Sequence, residues 1–215
     1  MLFFSSNMDA ETQFFRTLIE LQYGLPVEKK LRSLALNVSW AQGWPENDQS
    51  FWNAEAFMWQ RKIERPVRTL IAHELDFLHG GRNLDVGCGA FSYLPSIGID
   101  FAEKMLSNNE QCTEKICADL NTLLPLRSES FDSVTAVFVL NYIEEYILLI
   151  AEVLRMLVPG GVFVMVLYGG NINVWQRQKE LNTFSAQEWV FILERAGFKV
   201  RWEEKETIWF FRCRK

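Results

Sequence analysis

"NLDVGCGAFSYLPSIGIDFAEKML", residues 83–106, is the stretch that decides the fold. It predicts a strand, a turn at Gly87 and Gly89, a very short connection, a second strand ending in Asp100, and then a helix. Glycines allow a sharp turn and close approach of a ligand, and an acid at the end of the next strand is typical of nucleotide sites. About ten residues separate glycines and acid, where a dinucleotide fold has about 20. The spacing therefore favours a nucleotide-like ligand that lacks a pyrophosphate.

The composition is that of an ordinary globular protein with an acidic balance. The 215 residues are 49% hydrophobic and 23% charged, and the formal net charge is −5. This length accommodates one sizeable α/β domain and an appendage. A negative surface repels phosphate backbones, so we expect no nucleic-acid partner. We also expect no signal peptide and no membrane span, because the chain shows neither a basic start followed by an apolar core nor a run of about 18 apolar residues.

The cysteines favour a reducing location. The chain has Cys88, Cys112, Cys117 and Cys213, with no Cys-x-x-Cys pair among them. We expect reduced, mostly buried thiols and a cytoplasmic protein. No metal site is expected, because the two histidines do not cluster with the cysteines.

Two kinds of pattern divide the chain. Residues 1–80 show helical spacing without strand signals, which predicts a helical N-terminal cap or lid. From residue 81 to residue 215, strand and helix patterns alternate. Strands are predicted at 82–86, 96–100, 113–117, 131–139 and 161–168, and helices at 101–109, 144–157 and 185–196. Two further runs close to the C terminus predict an antiparallel pair. The predicted fold is α/β, a doubly wound, Rossmann-like, mostly parallel sheet of seven strands whose last strand is antiparallel.

The candidate ligand residues each have a structural alternative. The Gly87–Gly89 turn by itself fits a plain tight turn equally well, but its place after the first strand of such a sheet favours ligand binding. Asp100 is placed to accept both hydrogen bonds of a ribose diol, or to cap the helix that follows. Asp119 follows the third strand. There its carboxylate is a candidate acceptor for an adenine amine, with the Leu120 N–H donating to a ring nitrogen; otherwise it is a turn aspartate.

Several linked stretches resemble the class I S-adenosylmethionine-dependent methyltransferases, specifically the type 11 group that includes ubiquinone- and menaquinone-biosynthesis enzymes. They are LDVGCGA (84–90), GIDFAEKML (98–106), ADLNTLLPLRSESFDSV (118–134), LRMLVPGGVFVMV (154–166) and FSAQEWVFILERAGFKV (184–200). The resemblance covers residues 82–213. It is specific to the fold and the cofactor, and it leaves the substrate open.

The resemblance implies S-adenosylmethionine as the cofactor. The implied binding residues are Asp85, Gly87, Cys88, Gly89, Asp100, Phe101, Asp119 and Leu120. Asp85 and the glycine turn would hold the methionine end and Asp100 the ribose hydroxyls. Phe101 would flank the adenine, and Asp119 with Leu120 would bind its edge.

The chain also departs from the family pattern. Phe91 stands where the family usually has a third glycine, so we expect it to cover or crowd the methionine end. About seven residues connect Gly89 to the second strand, fewer than the dozen of a usual parallel crossover, and Pro95 limits a helix further. The first crossover helix is therefore predicted to be cut to one turn or lost.

Asn141 and Tyr142 are the candidate catalytic residues, because they follow the fourth strand, where the family's methyl group meets its acceptor. Asn141 would orient an amine or hydroxyl and Tyr142 would wall the pocket; the alternative is a loop asparagine and a core tyrosine. His73 and His79 precede the first strand, opposite the cofactor edge, and are interpreted as surface or structural residues. Any general base would be Glu, Asp, Tyr or water.

The N-terminal segment is rich in aromatic residues. These are Trp40, Trp44, Phe51, Trp52, Phe57 and Trp59. We expect most of them to pack the cap against the sheet, with one or two facing a substrate. Trp175 is another candidate wall residue. Arg177 and Lys179 are interpreted as a solvated face, with attraction of an anionic substrate as the alternative.

The leading hypothesis is a methyltransferase that acts on a small, fairly apolar acceptor, as a monomer or homodimer. The alternatives are a protein or tRNA methyltransferase, and a non-catalytic binding protein that keeps the fold. A nicotinamide oxidoreductase is disfavoured, because Ser92 occupies the third glycine position of Gly-x-Gly-x-x-Gly.

Overall fold

Seven strands form one sheet in the computed structural model, which describes residues 9–170 and 174–215, without the side chains of residues 60, 61, 174 and 175. The strands are β1 (Asn83–Val86), β2 (Ser96–Asp100), β3 (Cys112–Cys117), β4 (Phe131–Val137), β5 (Leu157–Tyr168), β6 (Lys199–Lys205) and β7 (Ile208–Arg214). Their order is β3-β2-β1-β4-β5-β7-β6. Neighbours from β3 to β5 are parallel, and β7 runs antiparallel to both β5 and β6. The predicted fold class is confirmed.

Helices cover both faces of the sheet and form the N-terminal segment. They are α1 (Ala10–Gln22), α2 (Glu28–Ala35), α3 (Asp48–Glu55), α4 (Trp59–Lys62), α5 (Arg65–Leu75), α6 (Glu103–Asn108), α7 (Tyr146–Met156), α8 (Val174–Arg177) and α9 (Ala186–Arg195). Local chemistry sets their starts. The Asn47 side chain accepts a hydrogen bond from Ser50 N at the start of α3, and Ser185 with Glu188 forms a capping box before α9.

The central strands are apolar because both of their faces are covered. Every residue of β1 and of β2 is buried. On one face, Ile71 and Leu75 of α5 pack against Val164 and Phe210 of the sheet. The other face packs against α7 and α9. Helix α5 lies before residue 80 but packs against the sheet. The predicted division into a cap (residues 1–80) and a second domain (residues 81–215) therefore stays a prediction.

The connection between β1 and β2, residues 87–95, contains no helix. The predicted loss of the first crossover helix is therefore confirmed. The predicted strand 131–139 ends earlier, at Val137, because Phe138 has a φ of 60° and turns the chain out of the sheet. Among the helices in the described ranges, none is long and apolar enough to cross a membrane.

The cap helices α1 to α3 have an apolar cluster of their own, centred on Phe14, Leu31 and Trp44. Two hydrogen bonds tie this segment to the end of β2. Gln49 Nε2 donates to Phe101 O at 2.9 Å, and Lys104 N donates to Asn53 Oδ1 at 2.9 Å. These bonds hold α3 at the carboxyl edge of the sheet.

Candidate active site

A cavity lies at the carboxyl ends of β1, β2 and β4, where ligands bind in doubly wound sheets. We call it the main cavity. Its lining residues are Asp48, Trp52, Trp59, Gly87, Gly89, Asp100, Phe101, Met105, Asp119, Leu120, Asn121, Val137, Phe138, Val139, Tyr142 and Ile143. Of the predicted cofactor residues, six line it: Gly87, Gly89, Asp100, Phe101, Asp119 and Leu120. The sequence motifs thus converge on one space.

The glycine turn has no room for a side chain at Gly87, whereas at Gly89 a Cβ would make an ordinary van der Waals contact. Gly87 has a φ of +64°, and a Cβ on it would lie 2.6 Å from Val139 Cγ1. Gly89 has a φ of +55°, and its Cβ position lies 3.5 Å from the indole Nε1 of Trp59. The turn therefore presents bare backbone to the main cavity, as a closely approaching ligand requires.

Asn109 holds this turn in place of a crossover helix. Its side chain is fully buried, and Nδ2 lies within hydrogen-bonding distance of Cys88 O at 3.2 Å, Gly89 O at 3.1 Å and Ser92 Oγ at 3.0 Å. The residue follows α6, so this contact joins two separate segments around the cavity.

Asp100 lies at the end of β2 with its carboxylate at the cavity wall. Oδ2 accepts from Gly89 N at 3.0 Å and Oδ1 accepts from Ala102 N at 2.9 Å. The side chain is nearly buried, and this desolvation raises the pKa of Asp100 to about 6, against the lowering effect of the backbone donors. Asp100 orders the backbone before α6, whose N-cap is Ala102, and it also lines the main cavity, so its ribose role stays a prediction. A carboxylate oxygen has two lone pairs, so each retains one for a ligand hydroxyl.

Asp85 and Cys88 do not line the main cavity. The Asp85 carboxylate accepts from Ser92 Oγ at 2.6 Å and from Thr135 Oγ1 at 2.7 Å. Burial raises the pKa of Asp85 to about 6. Its contacts are thus with the strand and loop that support the turn, and its predicted contact with the methionine end stays a prediction.

The residues predicted for the adenine surround the opposite part of the main cavity. Leu120 is buried and Phe101 half-buried, while Asp119 is exposed. Asp119 Oδ1 accepts from Asn121 N at 2.9 Å and from Asn121 Nδ2 at 3.0 Å, which holds the carboxylate at the rim.

Five aromatic residues line the main cavity, and three of them, Trp52, Trp59 and Tyr142, are in contact with one another. The Trp52 ring meets Tyr142 edge-on at 4.9 Å between centroids and Trp59 edge-on at 6.1 Å. The expectation that one or two cap aromatics face the ligand space agrees with the position of Trp52 and Trp59. Desolvation raises the pKa of Tyr142, so its hydroxyl stays protonated at neutral pH and can only donate or accept a hydrogen bond.

Asn141 lines a second cavity, which lies at the end of β5. Other residues of this second cavity are Leu167, Tyr168, Gly169, Arg177, Glu180, Asn182, Thr183, Phe184, Trp189 and Trp209. Asn141 Nδ2 donates to Glu180 Oε1 at 2.7 Å, while Oδ1 is buried and makes no hydrogen bond among the described residues. A 3-10 turn, Leu140–Tyr142, thus places consecutive residues in two neighbouring cavities.

Some candidate residues lie elsewhere. Phe91 packs edge-on against Tyr93, at 5.2 Å between centroids, and does not line the main cavity, so Trp59 and not Phe91 covers the glycine turn. The His73 and His79 side chains are 83% and 52% exposed. The Trp175 side chain lies outside the described residues. Lys179 is not simply solvated, since Nζ lies 2.5 Å from Asp48 Oδ1 and links the cap to the segment after α8.

Sequence reasoning missed Asp48, Met105, Asn109 and Val139. None carries a functional signal of its own: Met105 lies within the second motif without a predicted role, and the other three lie outside the motifs. In the described part of the chain, no cluster of three or more His, Cys, Asp or Glu could hold a metal ion.

Comparison with protein-family models agrees with this geometry. Residues 84–165 match the model described as a methyltransferase domain. Two curated relatives, demethylmenaquinone methyltransferases of Staphylococcus saprophyticus and Staphylococcus carnosus, are 29% identical over 117 residues and 31% identical over 114. Each match covers 45% of this chain and 48% or 47% of the relative, so the chain spans about half the length of the curated relatives it matches.

The fold also matches solved structures. An S-adenosylmethionine-dependent methyltransferase from Aquifex aeolicus superposes with a TM-score of 0.60 at 18% identity, covering 74% of this chain and 97% of that chain. At this identity the similarity shows a shared fold. The match over residues 84–165 agrees with the predicted methyltransferase family and supports S-adenosylmethionine as the cofactor.

Proposed function

We propose that this chain, a class I methyltransferase of the type 11 family over residues 84–165, transfers the methyl group of S-adenosylmethionine to a small, fairly apolar acceptor. The observation that carries the proposal is the convergence of Gly87, Gly89, Asp100, Asp119 and Leu120 on the main cavity. The cytoplasmic location and the monomeric or homodimeric state stay predictions.

The main cavity offers groups suited to each part of this cofactor. Asp100 is nearly buried, and an ionised carboxylate there would accept from both ribose hydroxyls. Phe101 and Leu120 supply apolar walls for the adenine, and Asp119 an acceptor at its edge. The bare turn at Gly87 and Gly89 leaves space for the methionine end, with Asp85 supporting that turn from below.

The aromatic wall suits the charge of this cofactor. S-adenosylmethionine supplies an electrophilic methyl group on a sulfonium, which is cationic. Trp52, Trp59 and Tyr142 present π-electron density to the cavity, and aromatic rings attract cations by about 1 kcal/mol or more when desolvated. These rings would also exclude water from the reacting centre.

We place the acceptor in the second cavity, next to the main one. Its walls include Tyr168, Phe184, Trp189 and Trp209, which suits an apolar or aromatic compound. The unbonded Asn141 Oδ1 would accept a hydrogen bond from the hydroxyl or amine to be methylated. Because a buried amide oxygen without a donor is costly, this atom would favour acceptors that carry such a group. The names of the two staphylococcal relatives are in keeping with a small apolar acceptor.

Two measurements test the proposal separately. Calorimetry with S-adenosylhomocysteine tests the cofactor site: we expect binding by the unchanged protein and at least a hundredfold loss in Asp100→Ala. Glu114→Ala, which removes an exposed carboxylate from β3, is the control and should bind normally. No binding by the unchanged protein at millimolar ligand would overturn the cofactor assignment.

A turnover screen with S-adenosylmethionine over fractionated metabolites tests the acceptor. With an acceptor in hand, Asn141→Ala should lower kcat/KM by tenfold or more while leaving S-adenosylhomocysteine affinity unchanged. Transfer only to protein or tRNA, or an equal loss of cofactor affinity in Asn141→Ala, would contradict the proposed acceptor site.

A further inference from the structure

Cys88 and Cys112 lie next to each other beneath the glycine turn. A Cβ built on Gly98 of β2 would lie 2.3 Å from Cys112 Sγ and 2.8 Å from Cys88 Sγ. Both sulfurs therefore occupy the space beside this glycine, and a larger residue at position 98 would separate them. Because both sulfurs lie within 2.8 Å of the same point, the two thiols are direct neighbours.

The two thiols differ in accessibility and in acidity. Cys112, at the start of β3, is half-buried, whereas Cys88 is buried. Hydrogen bonding from the Cys88 thiol lowers the pKa of Cys112, and Ser92 Oγ, 3.4 Å from Cys112 Sγ, contributes in the same direction. The interaction with Cys112, and then burial, raise the pKa of Cys88. Cys112 thus has the character of an attacking thiolate, and Cys88 is suited to resolve an oxidised Cys112 by its position beside it.

We propose that Cys88 and Cys112 form an oxidative modification site, in which a peroxide converts the pair to a reversible disulfide. The Cys112 thiolate attacks one peroxide oxygen, the O–O bond breaks, and the products are Cys112 sulfenic acid and hydroxide. The Cys88 thiol then attacks the sulfenic sulfur, forming the S–S bond and releasing water. The two thiols lose two electrons and the peroxide gains them. A dithiol restores the reduced pair by exchange.

The disulfide would rearrange the backbone that faces the main cavity. An S–S bond is about 2.05 Å long, much shorter than a thiol–thiol hydrogen bond, so the sulfurs must approach each other. Cys88 belongs to the turn, and its carbonyl and that of Gly89 are the acceptors of Asn109 Nδ2. Gly89 N in turn donates to Asp100. Drawing Cys88 toward β3 displaces these groups, so oxidation lowers cofactor affinity. This consequence rests on the proposed function, whereas formation of the disulfide does not.

The other two cysteines are poor partners for this pair. Cys117 is exposed at the other end of β3, near Phe101 O at 3.7 Å. Cys213 is fully buried in β7, which is separated from β1 by β4 and β5. Both can be replaced by serine or alanine without touching the proposed site.

The test uses the full chain with Cys117→Ser, which prevents disulfides between molecules. The protein is treated with a small excess of hydrogen peroxide, digested without reductant and mapped by mass spectrometry. We expect a peptide pair joined through Cys88 and Cys112, and its disappearance after dithiothreitol. Calorimetry should then show S-adenosylhomocysteine affinity at least tenfold weaker in the oxidised protein and restored by dithiothreitol.

Cys112→Ser in the same background is the matched control. It should bind S-adenosylhomocysteine like the reduced protein and keep that affinity after peroxide. Peroxide consumption that leaves both thiols free, or that over-oxidises Cys112 without a disulfide, would overturn the modification site. A mapped disulfide with unchanged affinity would overturn its effect on the cofactor. If the reduced protein bound no S-adenosylhomocysteine, the proposed function would fail, and the peptide map would still decide whether the disulfide forms.

Discussion

Two parallel crossovers of this sheet are built in opposite ways. Between β4 and β5 the chain forms α7, which buries Leu149, Ile150 and Val153 against the sheet. Between β1 and β2 there is no helix, and the buried polar side chains of Asn109, Ser92 and Asp100 hold the loop. A helix satisfies its own backbone groups, whereas a buried loop depends on side chains from elsewhere. The first crossover therefore links stability to the shape of the ligand cavity, and the second contributes stability alone.

The largest expected effect comes from removing the residue that replaces the missing helix. Asn109→Ala removes a fully buried amide, and the carbonyls of Cys88 and Gly89 lose their hydrogen-bond donor. We expect the free energy of unfolding to fall by about 3 kcal/mol, since each buried polar group left unpaired costs about 1–3 kcal/mol. S-adenosylhomocysteine affinity should fall by at least a hundredfold. Chemical denaturation and calorimetry measure the two losses.

Ile150→Ala in α7 is the matched control. Truncating this buried isoleucine should also lower the free energy of unfolding by about 3 kcal/mol. It should leave S-adenosylhomocysteine affinity within about twofold at temperatures where the variant is folded. Equal losses of affinity in the two variants would show that the difference between the crossovers is not functional.

A comparable effect is expected at the turn itself. Gly87→Ala combines a left-handed backbone with a collision against Val139, whereas Gly160→Ala has a similar φ of +79° and nothing within 4 Å. The strained conformation alone costs about 1–2 kcal/mol. We expect Gly160→Ala to lose about that much stability and no affinity, and Gly87→Ala to lose about 3 kcal/mol together with cofactor binding. Thermal unfolding with and without ligand separates the two; indistinguishable variants would refute the close fit at Gly87.

The sequence allowed prediction of what is local and periodic. The strands, the turn at Gly87 and Gly89, and the loss of the first crossover helix follow from apolar runs, glycines and spacing within a few residues. Asn109 carries no such signal. It lies 21 residues from Cys88 and acts only after α6 has folded beside the turn. Asn141 was recognisable from its position after β4, but the cavity around it depends on the distant segments that supply Trp189 and Trp209.

The pH dependence of S-adenosylhomocysteine binding tests the role of Asp100. We expect the affinity to fall by about tenfold per pH unit below the pKa of this carboxyl. Burial raises the pKa of this carboxyl to about 6 in the free protein, and binding of a ribose diol requires its ionised form. Protonation thus competes with the ligand, so affinity should be constant above pH 7 and fall as pH drops below about 6. Calorimetry between pH 5 and 8 measures this. Asp100→Asn, which does not titrate, should bind weakly and with an affinity that does not change with pH. If its affinity still fell with pH as in the unchanged protein, another group would be responsible for the titration.

The smallest expected effect concerns the two aromatic residues near the methionine end. Phe91 packs on Tyr93 outside the main cavity, so Phe91→Ala should lose about 1 kcal/mol of stability and change S-adenosylhomocysteine affinity by less than twofold. Trp59 lies over Gly89, lines the cavity and packs against Met105 and its apolar neighbours, so Trp59→Ala should weaken affinity by about tenfold and also lower stability. The reverse result, with affinity lost in Phe91→Ala and kept in Trp59→Ala, would show that the shortened crossover, and not the cap, covers the methionine end. Thermal unfolding and calorimetry on both variants therefore decide whether the cap or the first crossover closes the site.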